Sequence, residues 1–462
     1  MRPHFSFRYF AAMASRAATP TGGMPAPGAC SAFFIACLAL ALTGCASNLL
    51  LMPTPALYAG AHAKPLFDEM ATDSRDPSLD LLFVTDRAPI EQTGGLAYTA
   101  TRSRSMAFGS ATIEFGEDLT WQKLARESTA THRDRPVQLR LGSTTELGRF
   151  PATPFEVTVA PEGIERVTAV VDAYESAKHQ LQSDISRRLA NARRKEVVLF
   201  VHGYDTSFEQ AALTMGELCH FLGRDFVCAI FTWPAGARRV GIFGYATDRE
   251  SSEYAVEDLL KTIRIVASTP GVERIHLIAH SRGADTLTSA LSGLSVEAYS
   301  LQSSPDREYR IANVVLVAPD LDGDVALNKI FKVFSDPDLP FGRQADPRAV
   351  IPPARDLKLT LYVSPDDKAL ATAGWLMGSI ARLGRVDSKM LNADQIAAIA
   401  SLGAVDIVQV RGRTDFFGHS YLASNPQVSA DVVAMLRYDL RPNEPGRSLE
   451  HVSGSFWQVA SP

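Results

Sequence analysis

From Val197 onward the chain alternates two hydrophobic patterns. Apolar-rich runs at 197–201, 226–233, 275–279, 314–318, 357–363 and 405–410 are separated by loops and by stretches, such as 208–221 and 253–267, whose apolar residues recur at helical spacing. A strand is apolar on both sides only when both faces of its sheet are covered. The pattern therefore predicts an α/β fold with a mostly parallel sheet and helices on both faces. Upstream, 79–86 and 111–115 read as two further strands that extend the same sheet. A long helix is predicted after them, because Val167, Val170, Val171, Tyr174, Ala177, Leu181, Ile185 and Leu189 fall on one face. Arg187, Arg188, Arg193 and Arg194 near its carboxyl end complement the helix dipole. The stretch 121–161 is turn-rich, and the chain contains no internal repeat.

These patterns divide the chain into four parts. Residues 1–44 carry Arg2, Arg8 and Arg16, no acidic residue, and an uncharged apolar run over 30–43 that is short for a membrane span and reads as a signal-peptide core. The run ends in Leu42-Thr43-Gly44-Cys45, which resembles a bacterial lipoprotein signal cut before Cys45, whose thiol is then acylated. Ala46 stands where an inner-membrane retention signal places aspartate, so the expected location is the cell envelope with the outer membrane favoured. Residues 45–78, rich in Pro, Ala and Leu without a period, read as a tether. Residues 79–440 form the folded domain, with 79–195 supplying the first strands and the long helix and 196–440 the core; 441–462 reads as a tail.

Composition narrows the possible partners. The 462 residues are 46% hydrophobic and 21% charged, enough apolar surface for a full core without staples. The formal net charge of −5, or −8 without residues 1–44, offers nothing to a nucleic-acid backbone. Beyond the signal, Cys45, Cys219 and Cys228 remain. Cys219 and Cys228 read as small buried hydrophobes, with a disulfide as the alternative in an oxidising envelope, and no spacing suggests a metal site.

The chemistry concentrates around Ile275-His276-Leu277-Ile278-Ala279-His280-Ser281-Arg282-Gly283, where a strand breaks at a serine flanked by small residues and a helical pattern follows. Strand, tight turn with serine, helix describes a nucleophile elbow, although Ala279 replaces the first glycine of the strict Gly-x-Ser-x-Gly form. In such sheets functional groups gather at the carboxyl ends of the strands. After 197–201 comes His202-Gly203-Tyr204, where Gly203 lets the Tyr204 amide join that of Arg282 in facing an oxyanion, while His202 reads as a structural histidine. After 357–363 comes Ser364-Pro365-Asp366-Asp367, in which Asp367 is the candidate acid, Asp366 its near competitor, and Asp320 and Asp322 more distant ones. A histidine after the acid must be His419 or His451, and His419 follows a strand in a glycine-flanked loop.

Together Thr85-Asp86-Arg87, Val201-His202-Gly203-Tyr204, Thr232-Trp233-Pro234, Asp248-Arg249-Glu250-Ser251, Ala279-His280-Ser281-Arg282-Gly283, Ala318-Pro319-Asp320, Tyr362-Val363-Ser364-Pro365-Asp366-Asp367-Lys368 and Gly418-His419-Ser420 resemble a family of bacterial α/β-hydrolases of unknown function in the esterase/lipase superfamily. The resemblance covers about residues 79–440 and implies an α/β-hydrolase fold with Ser281 as nucleophile, His419 as base and Asp367 as acid. It supplies no substrate. The expected activity is cleavage of a small-molecule or lipid carboxylic ester through an acyl-enzyme, with no metal or organic cofactor required. Trp233, Tyr245 and Trp375 are expected to line the pocket. An acyltransferase or peptidase could use the same triad, and a non-catalytic envelope lipoprotein could keep the fold as a binding module.

Overall fold

The computed structural model describes residues 49–60, 63–70, 75–92, 95–236, 242–338, 354, 356–376, 381–412, 415 and 417–460. Cys45 and the signal segment 1–44 lie outside the described residues.

The first third of the chain is largely strand: β1 (Leu49–Leu50), β2 (Ser78–Gln92), β3 (Gly95–Phe115), α1 (Trp121–Thr129), β4 (Gln138–Arg149), β5 (Val157–Ala160), β6 (Gly163–Arg166) and the long α2 (Thr168–Asn191). Alternation then becomes regular through β7 (Glu196–Val201), α3 (Phe208–Phe221), β8 (Val227–Thr232), α4 (Ile242–Tyr254), α5 (Val256–Ser268), β9 (Arg274–His280) and α6 (Gly283–Ser300). The last third runs α7 (Pro305–Glu308), β10 (Ile311–Val317), α8 (Gly323–Ser335), β11 (Lys358–Val363), α9 (Lys368–Leu376), α10 (Ala393–Ser401), β12 (Val405–Gln409), α11 (Tyr421–Ser424), α12 (Pro426–Tyr438), β13 (Leu449–Ser453) and β14 (Phe456–Val459).

Twelve strands form one sheet in the order β1-β4-β3-β2-β8-β7-β9-β10-β11-β12-β14-β13, and β5 and β6 pair separately. From β2 through β14 each neighbouring pair is parallel. The two outer margins are antiparallel. After Glu196, strand β7 is apolar at every position because both faces are covered: Val197, Leu199 and Val201 enter one core with residues of α2, α5 and α6, whereas Val198 and Phe200 enter a second with α3 and α12. Successive side chains point to opposite faces, and both faces are filled. Only the carboxyl-terminal part of α2 is buried, through Ala177, Leu181, Ile185 and Leu189, while Val171 stays 39% exposed.

Four expectations need correction. The segment 45–78 is not a free tether from Leu49 on: β1 pairs with β4, and Leu51, Met52, Tyr58, Leu66 and Phe67 are buried. An irregular arm laid across helices has no period, which is why its apolar residues gave no signal. The tail 441–462 contains β13 and β14, and β14 extends the sheet beside β12. The turn-rich stretch 121–161 holds α1 and β4, whose half-buried positions at the sheet margin dilute the alternation. Cys219 and Cys228 form a disulfide, because the end of α3 and the start of β8 bring their Cα atoms to 6.1 Å.

The arm is pinned by polar groups. Met52 N donates to Glu217 Oε2 at 2.8 Å, and Arg133 donates to the carbonyls of Leu51 and Met52 at 2.6 and 2.7 Å. Burial pushes the Glu217 carboxyl up to about 8, against the opposing pull of the Met52 amide and Arg133. A raised folded value means that the folded state holds a proton which the unfolded state releases first. Glu217 thus contributes stability that is complete below the ordinary carboxylate range and is lost as pH rises towards about 8. Glu217→Gln, which keeps an acceptor for Met52, is expected to remove a stability loss of a few kcal/mol across that window, read by denaturant unfolding at a series of pH values. No helix of the described residues is long and apolar enough to cross a membrane.

Candidate active site

The register of the parallel strands brings five loops to one end of the sheet. Val201 pairs with Ala279, Leu316 with Ala279, Val317 with Tyr362, and Val363 with Gln409, so the segments after β7, β9, β10, β11 and β12 emerge together. Ser281 follows β9 directly with φ +53°, a left-handed conformation that non-glycine residues adopt only under constraint. The constraint is a set of backbone bonds: Ser281 N donates to Val317 O at 2.9 Å, while Ser281 O accepts from Asp320 N and Ala284 N at 3.1 Å each. Gly283 opens α6 against the end of β7, and a Cβ there would lie 2.3 Å from the His202 carbonyl oxygen. Two before the serine, Ala279 lies on β9, and its methyl is part of the hydrophobic core. That difference accounts for the single departure from the two-glycine form.

Asp367 follows β11, fully buried, and its two oxygens have separate partners. Oδ1 accepts from Leu370 N at 2.9 Å at the start of α9, and Oδ2 lies 2.7 Å from His419 Nδ1. Its competitor Asp366 is exposed and accepts from Gly412 N at 3.3 Å. Asp320 is engaged elsewhere, by Tyr245 Oη at 2.7 Å and Arg382 Nη1 at 3.2 Å, and Asp322 caps α8. His451 donates from Nε2 to the Gly454 carbonyl of its own hairpin at 3.0 Å. A carboxylate on Nδ1 holds the imidazole proton there and leaves Nε2 as the accepting nitrogen.

The loop that carries His419 is shaped by Asp415. Its carboxylate accepts from the amides of Phe417, Gly418, His419 and Ser420. His280, the residue before Ser281, presses its ring against that of His419 at 4.9 Å between centroids and donates from Nε2 to the His419 carbonyl at 3.2 Å. Burial, with repulsion from His419, depresses His280 to about 3, so it is a neutral donor that ties the histidine loop to the elbow. Neither the Ser281 hydroxyl nor His419 Nε2 has a hydrogen-bond partner among the described residues.

Across the elbow lies the loop after β7. A Cβ on Gly203 would fall 2.7 Å from Ser281 Cβ and 3.1 Å from the His280 carbonyl, so glycine is required for this approach. The amides of Tyr204 and Arg282 have no protein acceptor among the described residues. His202 is a buried structural histidine. Trp233 N donates to its Nε2 at 3.1 Å, which leaves Nδ1 as donor to the Gly203 carbonyl at 2.9 Å. Burial and the neighbouring Arg87 hold it well below its ordinary value.

Several positioning residues escaped the sequence reading. Arg87 is buried and donates to Thr232 Oγ1, Ala235 O, Thr99 O and Thr206 O at 2.6–3.1 Å. Burial lowers it to about 10, against the pull of Asp86 and Asp248, which leaves it charged at neutral pH. Asp248 accepts from Asp205 N at 3.0 Å and Gly236 N at 3.1 Å and so fixes both loops beside the elbow. Both residues stood inside quoted motifs, but nothing in those motifs says that their partners are main-chain groups far along the chain.

The expected pocket residues divide. Trp233 is fully buried, stacked on His202 with its indole donating to the His202 carbonyl, so it supports the elbow and lines no open space. Tyr245 is nearly buried and lies 5.5 Å from the Tyr204 ring. Trp375 is 73% exposed, as are Phe417 and Tyr204 in part. An apolar cavity of about 530 Å³ lined by Leu291, Ile330, Phe334 and Leu359 includes none of Ser281, Asp367 and His419. Among the described residues no group of three or more His, Cys, Asp or Glu side chains could hold a metal ion.

Among solved structures the chain is similar to Est1E from Butyrivibrio proteoclasticus, at 12% identity over 54% of this chain and 90% of that one, with a TM-score of 0.27. It is also similar to esterase B from Lactobacillus rhamnosis, at 12% identity over 46% and 79% with a TM-score of 0.23. A predicted CIB-like hydrolase from Thermoplasma acidophilum matches at 16% identity over 54% and 88%, with a TM-score of 0.25. At these scores the likenesses carry no argument about activity. No curated protein matches the chain. The model of one family matches residues 177–437, more than half of the chain, and the chain belongs to that family, the alpha/beta hydrolases of unknown function (DUF900).

Proposed function

We propose that this hydrolase is a serine esterase in which Ser281 is the nucleophile, His419 the base and Asp367 the triad acid. The observation that carries the reading is the left-handed turn at Ser281 beside a histidine whose Nδ1 is held by a buried aspartate at 2.7 Å. His419 Nε2 takes the Ser281 proton as the oxygen attacks the ester carbonyl. The amides of Tyr204 and Arg282 receive the negative charge on the carbonyl oxygen. Collapse releases the alcohol, which takes the proton from the imidazolium. Water repeats the sequence on the acyl-enzyme and regenerates the serine.

The reading predicts that a fluorophosphonate probe labels the folded protein and that labelling disappears in Ser281→Ala. Folded wild-type protein that takes no label would favour the binding-module alternative. Gly203→Ala tests the oxyanion arrangement: its methyl would collide with Ser281 Cβ and displace the Tyr204 amide. Turnover of a soluble aryl ester is expected to fall by about 10²–10³, the range for loss of one oxyanion donor. We also propose that Cys45 is the lipid attachment point and that the protein resides in the envelope, with the outer membrane favoured. Cys45→Ser should leave activity in solution intact and release the protein from the membrane fraction.

A further inference from the structure

We infer that the molecule, when anchored through Cys45, holds its catalytic mouth away from the membrane that carries it, so that its ester substrate comes from the aqueous side and is not a lipid of the anchoring leaflet. This rests on the two readings above, that the mouth at Ser281 is catalytic and that Cys45 is acylated. What is added comes from where the chain first joins the fold.

The chain joins it at once, and at the far end. Leu49 and Leu50 pair with Leu139 and Gln138. Leu51 N then donates to Val137 O at 2.8 Å, and Met52 N to Glu217. Tyr58 Oη donates to Phe221 O at 2.9 Å and accepts from Arg437 Nη1 at 2.8 Å. Residues 49–58 are therefore part of the body. The end of the sheet on which they sit follows from register. Leu139 pairs with Phe115, whose amide donates to Pro77 O, just before β2 begins. Strand β2 then runs to Thr85 beside Thr232, and Phe231 is level with Val201 and so with Ala279. Leu49 lies at the amino ends of the parallel strands and Ser281 beyond their carboxyl ends.

The distances decide the matter. From Pro77 to Thr85 is eight residues at ~3.3 Å each, about 26 Å along the strands. From β1 to β9 the strand order gives six spacings of ~4.8 Å, about 29 Å across the sheet. Between Cys45 and Leu49 the chain reaches at most ~3.6 Å per residue, or about 14 Å. An anchor that short cannot raise Leu49 far enough for the body to invert and press its mouth on the bilayer. Tyr204 and Phe417, exposed on the loops after β7 and β12, and Trp375, exposed late in α9, are thereby kept out of the anchoring bilayer. Their exposed faces turn instead to the aqueous side, from which a soluble or polymeric substrate arrives.

The test uses the full lipidated chain in phospholipid vesicles, with a soluble fluorophosphonate and a second fluorophosphonate carried on a two-chain lipid in the same vesicles. Wild type is compared with a variant holding about 30 Gly/Ser residues between Ser47 and Asn48, long enough to span the body. The soluble probe is expected to label both at the same rate. The lipid-borne probe is expected to label the extended variant at least ~10-fold faster, because only there does the serine share its effective concentration. Equal rates with the lipid-borne probe would overturn the inference. Failure of acylation appears separately, as wild type that does not bind vesicles or Cys45→Ser that does, and overturns it too. If neither probe reacts, the esterase reading fails, and orientation is read instead by energy transfer to a lipid acceptor from a dye on Asp68→Cys or on Trp375→Cys. Greater transfer from the Asp68 position upholds the orientation; equal or smaller transfer overturns it.

Discussion

Ser281→Ala is expected to lower the turnover of an activated ester by about 10⁶-fold, because a triad nucleophile acts as a unit with its base and its loss removes the covalent route altogether. The fold should survive. The hydroxyl has no hydrogen-bond partner among the described residues, and the bonds that hold the turn, from Ser281 N to Val317 O and from Asp320 N and Ala284 N to Ser281 O, are all backbone. Alanine is no worse than serine at φ +53°, since the clash there comes from Cβ, which both possess. The measurement is kcat on an aryl ester beside a thermal melt of the same preparation. A residual rate above the water reaction is consistent with the reading, since the oxyanion donors remain. Retention of more than a few per cent of wild-type turnover would mean that another group forms the acyl-enzyme, or that water attacks directly.

How far the sequence foretold this arrangement depends on what kind of partner each residue has. Strand β9 and the elbow were readable because a strand buried on both faces is apolar at most positions, its one buried polar side chain, His276, being held by Glu196 and Asn313, and because the tight turn demands a small residue at Gly283. The loop glycine at Gly203 was readable for a related reason: it marks a point where backbone meets backbone. Residues that act through distant main-chain groups were not readable as such. Arg87 bonds to carbonyls on three other segments, Asp248 gathers two loop amides, and Asp415 gathers four within its own loop. Nothing in an isolated Arg or Asp codes for that. The arm at 49–58 failed for a different reason, since its order comes from Glu217, Arg133, Phe221 and Arg437, all of which are remote in sequence. The disulfide likewise depended on the meeting of α3 with β8, which spacing alone leaves open.

The choice between Asp366 and Asp367 illustrates the same limit and has a sharp consequence. Two adjacent aspartates in a loop are equivalent on paper, yet one is buried on His419 and the other is exposed over Gly412. Asp367→Asn is expected to cut turnover by about 10⁴-fold through a tautomer argument. The Leu370 amide at Oδ1 requires an oxygen acceptor, so the asparagine oxygen stays there and its NH₂ occupies the place of Oδ2 beside His419 Nδ1. A donor facing Nδ1 forces that nitrogen to accept, which moves the ring proton to Nε2 and removes the base. The position is isosteric and its hydrogen-bond count is unchanged, so the melting temperature should move little and the loss should fall on kcat with KM nearly constant. Asp366→Asn keeps an acceptor for Gly412 N and leaves His419 untouched, so its turnover should stay within about twofold of wild type, the range expected of a surface change away from the reacting groups. If the large loss follows Asp366 instead, the loop must rearrange when substrate binds, and the 2.7 Å contact between Asp367 and His419 belongs to a resting state that catalysis leaves behind.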